Sequence, residues 1–262
     1  MTILSAERLS IAFGGVRAVD EVSLEVRAGE VFSIIGPNGA GKTTLFNLIS
    51  GVCAPNDGNV RLAGEDVTGL APDRLARRGL SRTFQNLQIF FRMTAIENVM
   101  VGCHRHERAG ILGELLHLPA VVRQNRATRE KARAMLASVG LEQEGERAAS
   151  ALSYGALKRL EIARALAAEP TVLLLDEPAA GCNPVETGEL ETVIRAIACS
   201  GVTVVLVEHD MRLVMNVSDR IHVLADGKTL AEGTVEEVRT NVAVIEAYLG
   251  IHGSQEATRA FG

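Results

Sequence analysis

No stretch of this 262-residue chain approaches the roughly 18 consecutive apolar residues that a bilayer span requires, so no segment is expected to cross a membrane. The N-terminal MTILSAERLS also lacks a basic segment followed by an apolar run, which argues against a leader and for a cytosolic chain. Cysteine is sparse: Cys53, Cys103, Cys182 and Cys199 are far apart and form no C-x-x-C pair. That spacing speaks against a zinc site or a disulfide framework and leaves them as small apolar residues. Excess positive charge is missing too. A formal net charge of -5 argues against a nucleic-acid partner, whose binding domains usually carry clustered Lys and Arg. The length bounds the rest: the chain can bury a sizeable core, as one large domain or as a core with a smaller lobe.

What is present begins with β-type alternation over Ile3 to Phe13 and Ala18 to Val26, a turn at Ala28-Gly29, and an apolar strand Val31-Phe32-Ser33-Ile34-Ile35. A second short hairpin is expected at Asn59 to Val67. Between them Thr43 to Ser50 reads as a helix stopped by Gly51, with Pro55, Asn56, Asp57 and Gly58 supplying turn chemistry. From about Ala95 to Val139 the pattern is helical, interrupted by Gly102, Gly110, Gly113 and Pro119 and ended by Gly140. Alternating units follow: a helix from Ala156 to Ala168, a buried strand Thr171 to Leu175, a helix opening at Asn183-Pro184, and a strand Val202 to Val207. This is the rhythm of a parallel α/β sheet. Thr234-Val235-Glu236-Glu237 matches a capping box, Asn241 to Leu249 reads as a final short helix, and the last dozen residues as a loose tail.

The sharpest signal is Gly36-Pro37-Asn38-Gly39-Ala40-Gly41-Lys42-Thr43-Thr44, a complete G-x-x-x-x-G-K-[ST] loop directly after an apolar strand. Its glycines let the backbone curl so that successive N–H groups point at phosphate oxygens, with the positive end of the next helix behind them. Lys42 can then reach the β- and γ-phosphates, and the Thr43 hydroxyl can ligate Mg²⁺. The plainer alternative, a glycine-rich turn, does not require the lysine and threonine. The chain is therefore read as binding a nucleoside triphosphate. A second signal is Val172-Leu173-Leu174-Leu175-Asp176-Glu177-Pro178, an apolar strand ending in adjacent carboxylates. In phosphoryl transfer one acid can hold the metal shell while the other polarises water; an isolated pair of this kind can also be no more than a helix or turn start.

Gln85 in Arg82-Thr83-Phe84-Gln85, the run Leu152-Ser153-Tyr154-Gly155 opening a helix, and His209 after a strand complete an ordered set. Together these motifs resemble the ATP-binding subunit of an ABC transporter across Phe13 to Gly250. FGGVRAVD, RTFQNLQIF, MTAIENVMVG, LSYG, DEPAAGCNP, VEHDMRLVM and IEAYLG are similar to the LivG-type subunits of branched-chain amino-acid importers. The resemblance implies an α/β fold: a P-loop (RecA-like) core with a mixed sheet, an antiparallel β lobe and a helical lobe. As a single domain over residues 1–262, the β lobe would occupy about 1–30 and 58–68, the core about 31–57, 69–85 and 156–232, and the helical lobe about 86–155. C-terminal helices and tail would fill 233–262.

By resemblance, Phe13 stacks on adenine, Gly36 to Thr44 hold ATP, and Thr43, Gln85 and Asp176 hold Mg²⁺. Glu177 is the general base, His209 the switch histidine, and Gln85 also senses the membrane partner. Ser153, Tyr154 and Gly155 form a signature that meets the γ-phosphate of ATP on an opposite subunit, and Asn183 lies on the loop crossing between subunits. Implied partners are transmembrane permease subunits and a second ATP-binding subunit, a heterodimer being expected and a homodimer open. A solute-binding protein would act indirectly, and this chain would lie peripherally at the cytoplasmic face of the cell membrane. Leu87 to Met93 is a candidate docking groove or plain core. Ala156 stands where the family signature continues with glutamine, with weakened contact anticipated, and Cys182 where leucine is expected, a modest volume change; both are placed at the subunit interface.

Two charged stretches are given bland readings. Arg123, Arg126, Arg129, Lys131 and Arg133 with Glu130 form a solvated helix face, with anionic lipid as the minor option, and His104, Arg105, His106, Glu107 and Arg108 a surface turn rather than a metal site. Urea or amide import, lipopolysaccharide export, and a slow-turnover ATP-gated clamp remain as other outcomes for the same motor.

Overall fold

The computed structural model describes residues 1–103 and 119–249, with 119–122 and 249 in backbone only. His104 to Arg108, Gly110, Gly113 and the tail beyond 249 lie outside the described residues.

Strands β1 (Thr2–Phe13) and β2 (Val16–Arg27) form a long antiparallel hairpin, turned by Gly14 and Gly15 at φ 54° and 87°. Leu4, Ala6, Leu9 and Ile11 of β1 and Val19, Val22, Leu24 and Val26 of β2 line its buried face. The register shifts where Arg8 and Glu21 turn left-handed, and serine hydroxyls take the displaced N–H groups: Arg8 donates to Ser23 Oγ at 2.8 Å and Glu21 to Ser10 Oγ at 2.9 Å. β4 (Asp57–Leu62) and β5 (Glu65–Asp66) extend this sheet in the order β2-β1-β4-β5.

The second sheet runs β10-β9-β3-β8-β7-β6, comprising β3 (Val31–Ile35), β6 (Leu80–Arg82), β7 (Val172–Asp176), β8 (Thr203–Val207), β9 (Arg220–Ala225) and β10 (Lys228–Gly233). Its pairs are parallel except β9–β10. β3, β7 and β8 are buried at every position, as apolar strands covered on both faces must be. β6, β9, β10 and the short helix α2 (Pro72–Arg77) have no counterpart in the sequence reading.

One face of the parallel sheet, through Leu173, Leu175, Val204 and Leu206, packs on α3 (Ala95–Cys103), α4 (Pro119–Ser138), α5 (Tyr154–Leu166) and α6 (Pro184–Cys199). The other face, through Phe32, Ile34, Leu174 and Val205, packs on α1 (Lys42–Ile49) and the hairpin sheet. Neighbouring residues of one strand thus serve opposite layers. The helices read as a separate lobe share one apolar cluster with the sheet, because α5 contributes Leu160 and Ala163 to it. Beyond β8, α7 (Met211–Val217), α8 (Val235–Arg239) and α9 (Val242–Leu249) close a third, smaller core around Ile35, Val223 and Val244. The Thr234 capping box is formed as read. On α4, Arg126 pairs with Glu130, Arg129 and Arg133 with Glu146, and Lys131 with Glu169, so this face is ion-paired as well as solvated. The carboxyl ends of β3, β7 and β8 lie side by side, so the loops leaving them share one crevice.

Candidate functional site

Leaving β3, the chain turns through Gly36, Gly39 and Gly41 at φ 150°, 83° and 96°. Two of these glycines are demanded by their neighbours as well as by dihedral angle. A Cβ on Gly36 would sit 2.1 Å from the Leu224 carbonyl oxygen, and one on Gly41 2.3 Å from that of Ala18. Gly41 is also the N-cap of α1 and brings no side-chain cap, so the first-turn N–H groups of α1 point into the loop without a capping side chain. Lys42 Nζ donates back to Gly36 O at 2.7 Å and Pro37 O at 3.0 Å. Burial pushes its ammonium below the usual lysine range, opposed by the charge of Glu177. A curled loop, exposed donors and a desolvated cation together suit a polyanion. Asn38 and Thr43 are exposed, Thr44 is half-buried and Pro37 and Ala40 are buried. Phe13 ends β1 at 55 % exposure, so it stands clear of the core.

β7 delivers the carboxylates. Asp176 is buried and Glu177 adopts φ 46°, a left-handed conformation that turns the chain sharply out of the strand. Glu177 Oε2 accepts from Gln85 Nε2 at 2.8 Å and lies 3.8 Å from His209 Nδ1. Residues 85, 177 and 209 therefore converge as read, with His209 side chain 59 % exposed at the mouth of the crevice. Asp176 is engaged in a way the sequence did not disclose: its Oδ2 pairs with Arg82 Nη2 at 2.7 Å, both side chains being over nine-tenths buried. Arg82 also donates to Asn47 Oδ1 and Ser50 Oγ and lies over the rings of Phe46 and Phe84, tying α1 to β7.

Ser153, Tyr154 and Gly155 open α5. Ser153 is the N-cap, its Oγ accepting from Ala156 N–H at 3.2 Å, and Tyr154 is 42 % exposed. Among the described residues no hydrogen bond or ion pair joins these three to the loop of residues 36–44. Ala156 is only 6 % exposed and packs in the apolar cluster with Leu160, so its methyl group faces the core of its own chain. Cys182 is half-buried against the same cluster, where burial pushes its thiol up. Asn183 caps α6 through a capping box with Glu186.

Five further residues, Glu208, Glu186, Lys158, Glu161 and Arg164, were not singled out in the sequence. Glu208 is buried under the β7 and β8 turns and accepts from Ala179, His209 and Asp210 N–H groups at 2.8, 3.0 and 3.3 Å. Burial pushes its carboxyl up despite those donors. It fixes the turn that carries His209, and the acid next to that histidine was its only signal. Glu186 reaches back to Gly155, accepting its N–H at 2.9 Å. On the inner face of α5, Lys158, Glu161 and Arg164 grip the backbone after β6: Lys158 Nζ donates to Gln85 O, Glu161 accepts from Gln88 N–H, and Arg164 donates to Gln88 O. Beside this grip is a groove of about 510 Å³ lined by Phe84, Leu87, Ile89, Phe90, Val101 and Arg164 among others. The segment Leu87 to Met93 is thus part core, with Ile89 buried, and part surface, with Phe90 and Phe91 about half exposed.

Similarity to known proteins agrees with this geometry. A family model described as "ABC transporter" matches residues 19–180, and one described as "Branched-chain amino acid ATP-binding cassette transporter" matches residues 228–253. The chain is 47 % identical over 95 % of its length, and 98 % of the relative's, to the high-affinity branched-chain amino acid transport ATP-binding protein BraF of Pseudomonas aeruginosa. It is 45 % identical with the same coverage to the LivG protein of Escherichia coli, which carries the same description. A solved ATP-binding cassette of an ABC transporter in its ADP conformation superposes with a TM-score of 0.84 at 33 % identity, covering 95 % of this chain and 99 % of that one. A second cassette, solved as a dimer in a post-hydrolysis state with ADP and Pi, gives 0.73 at 26 % identity, covering 89 % and 99 %. Loop, acids, signature and these likenesses coincide: the chain is a member of the ABC transporter family, a LivG-type ATP-binding cassette whose chemistry is ATP hydrolysis.

Proposed function

We propose that this chain is the ATP-hydrolysing motor of an importer for branched-chain amino acids. It would sit at the cytoplasmic face of the membrane against transmembrane permease subunits, with a solute-binding protein feeding them. The names of the relatives support the solute class, and among the described residues no helix is long and apolar enough to cross a membrane. The observation that carries the chemistry is Glu177, held 2.8 Å from Gln85 and 3.8 Å from His209 at the end of β7.

Each chain supplies half of a site. The loop from Gly36 to Thr44 takes the triphosphate through backbone N–H groups and Lys42, which exchanges its loop carbonyls for phosphate oxygens; exposed Phe13 offers its ring to the adenine. Thr43, Gln85 and Asp176 would hold a Mg²⁺ ion accompanying the nucleotide, which would supply positive charge against that developing on the phosphates. The residues present fit it, with the Thr43 hydroxyl exposed at the start of α1, Gln85 exposed, and one Asp176 oxygen lying outside the pair with Arg82. Glu177 takes the proton of the attacking water, oriented by Gln85, while His209 holds the water or the γ-phosphate oxygen from the other side. Among the described residues, Ser153, Tyr154 and Gly155 make no hydrogen bond or ion pair to the phosphate loop of their own chain, which supports their acting on ATP held by a second subunit. The relative solved as a dimer with ADP and Pi supports the same pairing. Two chains then close on two nucleotides, and hydrolysis separates them. The groove beside Leu87 and Phe90, gripped by α5 and continuous with Gln85, is the surface that would carry this motion to a permease.

Glu177→Gln is expected to keep ATP binding, to lower turnover at least about a hundredfold, and to accumulate closed pairs on sizing columns. Undiminished hydrolysis in that variant would remove Glu177 as the base. Affinity purification of the tagged chain from native membranes is expected to bring multispanning proteins and a second ATPase, with leucine uptake in vesicles; elution alone would end the transport reading.

A further inference from the structure

The start of α5, assigned above to a partner's γ-phosphate, has two of its donors engaged within the chain. Gly155 N–H donates to Glu186 Oε1 at 2.9 Å, and Ala156 N–H to Ser153 Oγ at 3.2 Å. The two are not equivalent. Ser153 uses a lone pair of its oxygen and keeps its O–H free to donate outward, whereas Gly155 has a single proton and it is taken. The stem of Glu186 also lies flat on Gly155: a Cβ there would come within 2.5 Å of Glu186 Cγ, 2.7 Å of Cδ and 2.8 Å of Cβ. The glycine of the signature therefore makes room for an acidic side chain of its own subunit, apart from any approach by nucleotide.

A phosphate oxygen and the Glu186 carboxylate cannot both take one N–H at hydrogen-bonding distance, and both are anions. Glu186 has somewhere to remain when displaced. Its other oxygen, Oε2, accepts from Asn183 N–H at 3.0 Å, and Asn183 Oδ1 in turn accepts from Val185 and Glu186 N–H. Release of Oε1 therefore leaves the α6 capping box standing and frees only the bond across to α5.

We propose that Glu186 is a positioning residue that occupies the Gly155 N–H until the γ-phosphate bound to a second chain displaces it, and so sets the affinity of the closed pair for ATP. This rests on the signature acting in trans. The exchange also gives the arriving phosphate a mechanical reader, since the side chain that it dislodges belongs to the first turn of α6, which Asn183 caps.

The test uses the complex purified with its membrane partners, with steady-state KM and kcat for ATP measured for three forms of the chain. Glu186→Gln keeps the shape and a capping-competent amide but loses the charge, so folding and cap survive. It is expected to lower KM for ATP roughly three- to tenfold, the scale of one exposed charge-assisted contact, with kcat little changed. A KM that is unchanged or raised overturns the proposal, as a purely structural cap would give no gain in apparent affinity. Ser153→Asp separates this failure from failure of the trans reading: aspartate keeps the helix cap but turns a negative charge toward the phosphate. Loss of turnover with ATP binding retained by the isolated chain upholds that reading. Normal turnover in Ser153→Asp overturns both.

Discussion

Two helices begin at the rim of the nucleotide crevice, and they treat their first N–H groups in opposite ways. α1 is capped by Gly41, which has no side chain to offer, so its donors stay available to a phosphate. α5 is capped by Ser153 and braced by Glu186, so its Gly155 and Ala156 N–H groups are already engaged. The difference teaches that a helix start becomes an anion site by what its neighbours withhold. The same dipole and the same four orphan donors serve binding in one case and architecture, with a later exchange, in the other.

Breaking the open start has the largest effect. Gly41→Ala forces a Cβ to within 2.3 Å of the Ala18 carbonyl at a φ of 96°, so the loop must shift against β2. ATP affinity is expected to fall at least about a hundredfold, read by titration calorimetry, because every loop donor moves together. Retained affinity would mean that the curl of the loop is not set by that contact. The closed start breaks more gently. Ser153→Ala removes the α5 cap at about 1 kcal/mol, a Tm loss of about 2–4 °C for a chain of this size. Ser153→Asp is expected to restore Tm by differential scanning calorimetry without restoring turnover, which separates cap from catalysis. If Tm and activity recover together, Ser153 serves the fold alone.

The smallest effect lies in acid. The backbone N–H groups of Asn183 and then Gly155 hold Glu186 below the usual carboxylate range, and those of Thr234, with its hydroxyl, do the same for Glu237. A depressed folded value means that this stability is fully present above the unfolded value of about 4.3 and is lost as pH falls through the lower folded one. Melting curves between about pH 5 and 3 should therefore steepen less in Glu186→Gln than in the parent. Parallel curves would show that the bond to Gly155 carries no net charge stabilisation.

Much of this comparison was legible along the chain wherever the signal is local. The loop from Gly36 to Lys42, the acid pair at the end of β7 and the capping box at Thr234 each depend on residues a few positions apart, and the structure places them as read. β3, β7 and β8 were visible because burial on both faces leaves an unbroken apolar run. β6 is three residues long, and β10 is an edge strand with no fully buried position, so neither carries a periodic signal. What escaped altogether joins distant residues. Arg82 with Asp176, Glu186 with Gly155, and Glu208 with Ala179 are brought together by sheet order and helix packing, and no spacing in the sequence announces them. Ala156, read in the sequence only as a weakened signature contact, also packs its methyl group on the inner face of α5, which no spacing in the sequence announced.

The grip of α5 on the segment after β6 is made to main-chain atoms: the carbonyls of Gln85 and Gln88 and the N–H of Gln88. Such a hold is blind to side-chain identity. Substitutions at the exposed positions Asn86, Gln88, Phe90 and Phe91 are expected to reshape the surface of this segment while the main chain beneath it stays fastened to the same helix. In the docking proposed above, such a motor would be refitted to a different permease by changing a few outward-facing residues, with no alteration to the parts that burn ATP.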